Sequence, residues 1–550
     1  MAQKIRKRTI HRILALRHDP FLLFGYAIIL IFMMLFVLFP IVRVIIFPKL
    51  ALYLALADNA RWRQAILNSF TMVALSTLSA TLIGYVFAYA ISRQDLKGRS
   101  LWRWIAILPI FSPPFAVAFS YLLMFGRLGL ITHTFLGLKW SILGWHGLWL
   151  AQTISFFPFA AMAILPVLEG IHPTLEVAAK NLGASELDVF TSITFPLSRP
   201  GLASAALLVS IFILADFGNP LIISGDFPLL ATEAWYRIEG WADLQGASVL
   251  VTTLLPPAVM LFLVERYWVS RKTYTTITGK GTALPRPRTP LLLKSLLLVT
   301  CSLVSLLVIL VFLGIIIGGL TRVWGYDWRL SFVHWKEAYL KAKHLLNSIV
   351  FALLAGFFSA LFGLIIAFVL SRKKLIMERF LDFLAVLPAA IPGVFIGIGY
   401  LLAFNTAPLV LTGTPWVIII ALIIWNLPFS YQVSISGIQQ IGRELEEAAA
   451  DLGASNFRIF WDLFLPLLMR AFMGSMMVAF MNSMTNLSIV VFLVTSKTLV
   501  ATFSILTMIS DNRLGAAAAL TNALLFVSIL VLFLVNRVLK LREEGLIMRV

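Results

Sequence analysis

The sequence predicts an all-α integral membrane protein, with twelve transmembrane helices arranged as two parallel six-helix repeats. Three observations predict it. Hydrophobic residues make up 60% of the 550-residue chain and charged residues only 13%, where a soluble domain carries about a quarter charged. Several apolar runs reach roughly 20 residues, the length that crosses a hydrocarbon core about 30 Å thick. The two halves of the chain also carry the same motifs in the same order.

Hydropathy places spans at 21–47, 67–91, 103–125, 146–168, 202–223 and 247–265, then at 291–319, 346–370, 380–404, 415–437, 471–495 and 514–536. The mean hydropathy is +0.94. The N-terminus is basic (Lys4, Arg6, Lys7, Arg8, Arg12, Arg17), and the apolar run after it is too long for a signal-peptide core. It is therefore expected to remain as the first span. With that tail inside, most of the 44 Lys and Arg fall on the same side, which orients both termini toward the cytoplasm. The net charge of +19 thus speaks of membrane orientation and lipid contact, not of nucleic acid.

The expected organisation is a basic tail (1–20), a first repeat (21–265), a linker (266–290), a second repeat (291–537) and a C-terminal tail (538–550). The linker ends Leu284-Pro285-Arg286-Pro287-Arg288-Thr289-Pro290, and alternating prolines favour an extended chain. The aromatic-rich loop 320–345 (Trp324, Trp328, Trp335, Tyr339) predicts an interfacial helix. A lone cysteine, Cys301, excludes an internal disulfide and a thiolate metal site.

The repeat is legible by eye. Asn68-Ser69, Gly84, Ser92-Arg93, Leu108-Pro109, Pro113 and Tyr121-Leu122-Leu123 recur 279 positions later, as Asn347-Ser348 through Tyr400-Leu401-Leu402. Thereafter the spacing is 270: Pro158-Phe159, Leu182-Gly183-Ala184-Ser185, Pro196 and Ala231-Thr232 recur at 428, 452, 466 and 501. Six spans per half is an even number, so both halves enter the bilayer in the same direction, and a solute path is expected between such repeats. Prolines 109, 113, 114, 158, 388, 392 and 428 are expected to kink spans three, four, nine and ten, either for packing or beside a watery cavity.

The most informative segments follow span four of each repeat. The first runs Pro173-Thr174-Leu175-Glu176-Val177-Ala178-Ala179-Lys180-Asn181-Leu182-Gly183-Ala184-Ser185 and on to Phe195-Pro196. The second runs Glu444-Leu445-Glu446-Glu447-Ala448-Ala449-Ala450-Asp451-Leu452-Gly453-Ala454-Ser455 and on to Leu465-Pro466. Alanine-rich turns form helix. Gly183 and Gly453 can end it in the left-handed conformation. Ser185 and Ser455 can cap a second helix, with Asp188 completing a capping box in the first copy only. Each predicts a firm helix–stop–helix knob that lipid contact does not require.

These segments resemble the EAA loop of binding-protein-dependent ABC importer permeases: E-A-A, three residues, G, nine residues, I, any residue, L-P. The second copy fits at Glu447-Ala448-Ala449, Gly453 and Leu465-Pro466, with Leu463 for isoleucine. The first fits at Ala178-Ala179, Gly183, Ile193 and Pro196, with Val177 at the acidic position, Glu176 one place earlier and Phe195 for leucine. The resemblance implies that Glu176, Ala178, Ala179, Gly183, Ala184 and Ser185, with Glu446, Glu447, Ala448, Ala449, Gly453, Ala454 and Ser455, form coupling helices seated on two ATPase subunits. ATP and Mg would bind those subunits and no cofactor this chain. It further implies a periplasmic or lipid-anchored solute-binding protein, a bacterial inner-membrane location, and alternating access driven by the ATPases. The fused layout and Ala215-Asp216-Phe217-Gly218-Asn219-Pro220 resemble ferric-iron-type permeases, a group whose relatives are also assigned to phosphonate or sugar phosphate.

Other chemistry is missing from the sequence. The nearest approach to a phosphate-binding loop, Gly279-Lys280-Gly281, has Tyr274 where glycine is required and Gly281 where Ser or Thr is required. The seven histidines show no metal-ligand spacing, and no nucleophile motif or paired acids suggest an enzyme. Within the spans, Asp216 and its counterpart Asn486, with Asn482 and Thr485, are candidates to line a path. The alternative is hydrogen bonding between neighbouring helices. A twelve-span secondary transporter shares the two-repeat layout but does not account for doubled knobs.

Overall fold

The computed structural model describes residues 20–93, 99–269, 291–372 and 377–538. The terminal tails, most of the Pro-Arg linker and the loop 94–98 lie outside the described residues. Among those described, ten helices are long and apolar enough to cross a membrane, and two further helix pairs, each bent at a short break, bring the count to twelve. The all-α reading holds, with one small exception. In the loop predicted as an interfacial helix, strands Thr321–Val323 and Asp327–Leu330 pair antiparallel around Gly325, and the short helix Val333–Leu340 follows before the next span's helix starts at Ala342. Gly325 takes φ +82°, a conformation that turns the chain tightly and suits glycine.

The third and ninth segments are broken rods. Helix Arg99–Ile107 tightens into the 3-10 turn Leu108–Phe111 and helix restarts at Pro114; Glu378–Val386 likewise passes into Leu387–Ala390 and restarts at Gly393. Ser112 and Ile391 are extended (ψ 136° and 124°), and Pro113 and Pro392 share φ −57°. Proline offers no N–H and drives the preceding residue out of the helical region, so equivalent prolines stop the chain at equivalent depth. The second-copy break turns the axis by 114°. By contrast Pro158 and Pro428 lie inside helices Trp145–Gly170 and Pro415–Gln439, which run through them without a break.

Spans five and eleven also depart from the hydropathy boundaries. Their helices end at Leu214 and Met484, inside the expected 202–223 and 471–495. Short elements follow, Gly218–Ile223 in the first repeat and Val490–Phe492 in the second. The cause is local: Asp216 and Asn486 offer a side-chain oxygen to the backbone N–H three residues on, at 3.3 Å from Asn219 and 3.0 Å from Ile489. Such short polar side chains compete with the helix ladder for backbone donors. Span eleven is bent by a further 73° between Asn456–Leu467 and Met469–Met484.

The chain divides into two compact units that cut across the sequence repeats. One holds Leu50–Leu340 and Ile505–Phe526; the other holds the first span, Lys341–Ser504 and the last helix from Val527 onward. The first span of each repeat therefore belongs to the unit formed mainly by the other repeat. In the former unit, the Tyr121 hydroxyl donates to the Leu307 carbonyl at 3.3 Å and Ser120 to Leu310 at 3.1 Å, fastening span seven. In the latter, Tyr400, the repeat counterpart of Tyr121, donates to the Phe36 carbonyl at 2.8 Å, fastening span one. A buried phenol in an apolar bundle needs an acceptor, and a neighbouring helix supplies it. The close packing inside each unit turns on paired glycines. A Cβ at Gly84 would lie 2.6 Å from Ala160 Cβ, and one at Gly363 would lie 2.7 Å from Ser430 Cβ.

Candidate functional site

The two knobs are built alike from backbone geometry. Helices Pro173–Asn181 and Arg443–Asp451 each end in a left-handed glycine, Gly183 (φ +92°) and Gly453 (φ +84°). Ala184 N–H donates to Ala179 C=O at 3.0 Å and Gly183 N–H to Lys180 C=O at 2.9 Å; Ala454–Ala449 and Gly453–Ala450 repeat the pair at 3.0 and 2.8 Å. These paired bonds close off carbonyls that would otherwise be orphaned at the helix end. No atom lies within 4 Å of where a Cβ would stand on either glycine, so conformation, not space, demands glycine here.

A second helix starts at once. Ser185 Oγ accepts from Asp188 N–H at 3.2 Å while Asp188 accepts from Ser185 N–H at 3.0 Å, a complete capping box. Ser455 Oγ accepts from Arg458 N–H at 3.4 Å, and arginine at that position cannot return the bond. Both second helices widen into π turns, Phe190–Thr194 and Ile459–Phe464, just before Pro196 and Pro466. A proline without an N–H leaves the carbonyl four residues back without its usual partner, a common cause of such irregular turns.

The tips of the knobs are apolar and open to solvent. Leu182 and Leu452 are each 89% exposed, and Leu187, Phe457 and Trp461 are exposed beside them. Ala178 and Ala448 are exposed on the same helices, while Ala179, Ala184, Ala449 and Ala454 are half-buried at the turn. Exposed apolar side chains gathered on a protruding element mark a contact surface.

The acids differ between the knobs. Glu176 is buried and accepts a hydrogen bond from Thr194 Oγ1 at 2.9 Å. Its counterpart Glu446 is half-buried, while Glu444, Glu447 and Asp451 are exposed. At the positions of those three, the first knob carries Thr174, Val177 and Asn181. Lys180 and Glu186 form an ion pair across the first turn.

The intramembrane candidates do not form one group. Asp216 is buried within a polar cluster: Gln152 Nε2 donates to it at 3.1 Å and Asn219 Nδ2 at 3.0 Å. Gln152 Oε1 accepts from Ser76 Oγ at 2.9 Å, and Asn219 Nδ2 also donates to Ser155 Oγ at 3.2 Å. A cavity of about 20 Å³ lined by Ser69, Gln152, Asp216 and Pro220 lies alongside, room for about one water. In the second repeat, Asn486 is buried and Asn482 is exposed, with Asn482 Nδ2 donating to Asn426 Oδ1 at 3.2 Å. Asn426 in turn donates to Ser483 Oγ at 3.0 Å, and Thr485 bonds back to the Met481 carbonyl at 3.0 Å. Gln152 and Asn426 were not singled out by sequence, and Asn219 only as part of the motif around Asp216. A glutamine or asparagine inside an apolar span is the signal that could have found them.

Residues 359–544 match the family described as "Binding-protein-dependent transport system inner membrane component". The ferric transport system permease protein FbpB of Actinobacillus pleuropneumoniae is 34% identical over 477 residues, covering 84% of this chain and 69% of that one. A putative ferric transport system permease protein, FbpB 1 of Haemophilus influenzae, is 32% identical over 448 residues, covering 79% and 71%. The molybdenum transport system permease protein ModB of Escherichia coli is 29% identical over 215 residues, 38% of this chain but 93% of ModB, so one permease of that length corresponds to less than half of the chain. Duplicated knobs, twelve candidate spans and relatives that match most of the chain agree: the chain belongs to the inner-membrane permease components of binding-protein-dependent ABC transport systems.

Proposed function

We propose that this permease carries ferric iron, handed over by an external binding protein and moved by ATP hydrolysis on two partner ATPase subunits. The observation that carries the reading is the doubled helix–glycine–helix knob with its exposed leucine, Leu182 in one copy and Leu452 in the other. An apolar tip on a rigid, capped support suits a partner groove, and two such tips suit a paired motor. ATP and Mg belong to that motor. The names of the two ferric relatives support iron as cargo. Among the described residues no three of His, Cys, Asp and Glu gather in a metal-holding group, so the reading assigns recognition of the metal to the binding protein.

In this reading the knobs and both termini face the cytoplasm. ATP closure moves the knobs, and the span that follows each one moves with it. A ligand can shift such an equilibrium only through contacts that differ between the two states. The test is uptake of radiolabelled ferric iron by proteoliposomes holding the permease, its ATPase and its binding protein. Uptake should require ATP inside the vesicle face that bears the knobs. Uptake that follows an ion gradient without ATP, or a binding protein that selects a different solute, would overturn the reading.

A further inference from the structure

We infer that Glu176 is a positioning residue inside the first knob, a strut between its first helix and the root of span five, and not a contact to the ATPase. The inference rests on the proposed coupling role of the knobs and assigns that role unequal chemistry in the two copies.

Three observations carry it. Glu176 is 8% exposed, on a helix whose remaining side chains are mostly open to solvent. Its Oε1 accepts from Thr194 Oγ1 at 2.9 Å, and Thr194 is the last residue of the π turn that leads directly into helix Phe195–Leu214. Thr194 itself is 2% exposed, so this hydroxyl–carboxylate bond is made away from water. A carboxylate so placed has no free path to an arginine on another subunit.

The second knob cannot use the same device. Phe464 stands at the position of Thr194 and has no hydroxyl to give. There the acids at Glu444, Glu447 and Asp451 are exposed, where the first knob has Thr174, Val177 and Asn181. The first knob therefore meets its partner through the exposed apolar side chains of Leu175, Leu182 and Leu187, with no acid at the positions of Glu444, Glu447 and Asp451, and passes motion inward through the Glu176–Thr194 bond. A bond held in a water-poor, partly buried setting transmits displacement better than an exposed one, because no solvent competes for either group.

The experiment compares Thr194→Val, Thr194→Ser, Glu176→Gln and Glu176→Ala in the full chain. The first readout is amide hydrogen exchange over 173–181 in the chain alone, in nanodiscs. Thr194→Val, which removes the donor but keeps the shape, should speed exchange about tenfold, the effect of losing one buried charge-assisted bond, and Glu176→Ala should speed it at least as much. Thr194→Ser and Glu176→Gln keep donor and acceptor and should stay near wild type. The second readout is ATP hydrolysis stimulated by loaded binding protein in the complex purified from native membranes. Thr194→Val should lower that stimulation severalfold while the amount of bound ATPase is retained, and Thr194→Ser should restore it.

Unchanged exchange in Thr194→Val would overturn the strut. So would loss of bound ATPase in Glu176→Gln, which is what a direct carboxylate–arginine contact predicts. Loosened exchange with full stimulation would overturn the positioning role. If wild-type chain carries no ATPase, the coupling reading fails, and this inference falls at its outer end while the exchange arm still decides the internal bond.

Discussion

The Tyr400 hydroxyl donates to the Phe36 carbonyl at 2.8 Å, and that carbonyl is the one Pro40, four residues further on, cannot serve. Proline has no N–H, so the helix Phe39–Ile46 begins with a gap in its ladder, and a tyrosine from the helix Gly393–Ala403 fills it. The pair explains how a first span from one repeat is held by residues of the other. Tyr400→Phe should destabilise the protein by about 1 kcal/mol, within the range for hydrogen bonds between membrane helices. Pro40→Ala would restore the intrahelical donor, so a double-mutant cycle read by thermal unfolding should show the two substitutions to be non-additive. Additive losses would mean that the tyrosine and the proline act independently.

Gly183→Ala and Gly453→Ala test whether knob shape matters. Both glycines have open space around them, so the only cost is a left-handed backbone for an L-residue, about 1–2 kcal/mol. Each single change should weaken ATP-coupled transport, and the double change should reduce it more, with the amount of protein in the membrane unaltered. Transport assays in vesicles with matched protein levels provide the comparison.

Asp216 separates a path role from a structural one. Asp216→Ala would take the acceptor from Gln152 Nε2 and from one N–H of Asn219 Nδ2, whose bond to Ser155 remains, at a cost of about 1–3 kcal/mol for each donor left unpaired. A lowered unfolding temperature together with lost transport would mark Asp216 as the clasp that holds the broken end of span five against spans two and four. Lost transport at unchanged stability would instead mark a path residue.

Arg61 and Glu233 make a two-pronged ion pair, Nε to Oε2 at 2.9 Å and Nη2 to Oε1 at 2.7 Å. The glutamate side chain is 3% exposed but the arginine side chain 61%, so water screens one partner and not the other. Arg61→Ala should cost about 2 kcal/mol, less than for a fully buried pair, because it leaves the glutamate unpaired in a mostly dry site. Glu233→Gln in the same background should recover part of the loss, measured by thermal unfolding in detergent.

Much of this was open to a reader of the sequence, for a physical reason that differs by residue. Gly183 and Gly453 announce their role because a helix stop is decided within a few residues of chain. Pro113 and Pro392 announce the broken rods because a missing N–H is a covalent fact. Asp216 stands out because a carboxyl in an apolar run is costly wherever it lies. The fates of spans five and eleven were less visible: hydropathy reads composition, and the apolar residues continue past Leu214 and Met484 although the helix does not.

By itself, then, the sequence determined the membrane class, the duplication and the local shape of the knobs, since each depends on composition, spacing or neighbouring residues. Only the tertiary structure decided which polar groups meet. Glu176 turns inward to Thr194, Gln152 reaches Asp216 across 64 residues, and Tyr400 reaches Phe36 across 364. Those meetings depend on how each helix is rotated and which neighbour it packs against. Rotation is set by close contacts such as Gly84 on Ala160 and Gly363 on Ser430, which no single stretch of chain encodes.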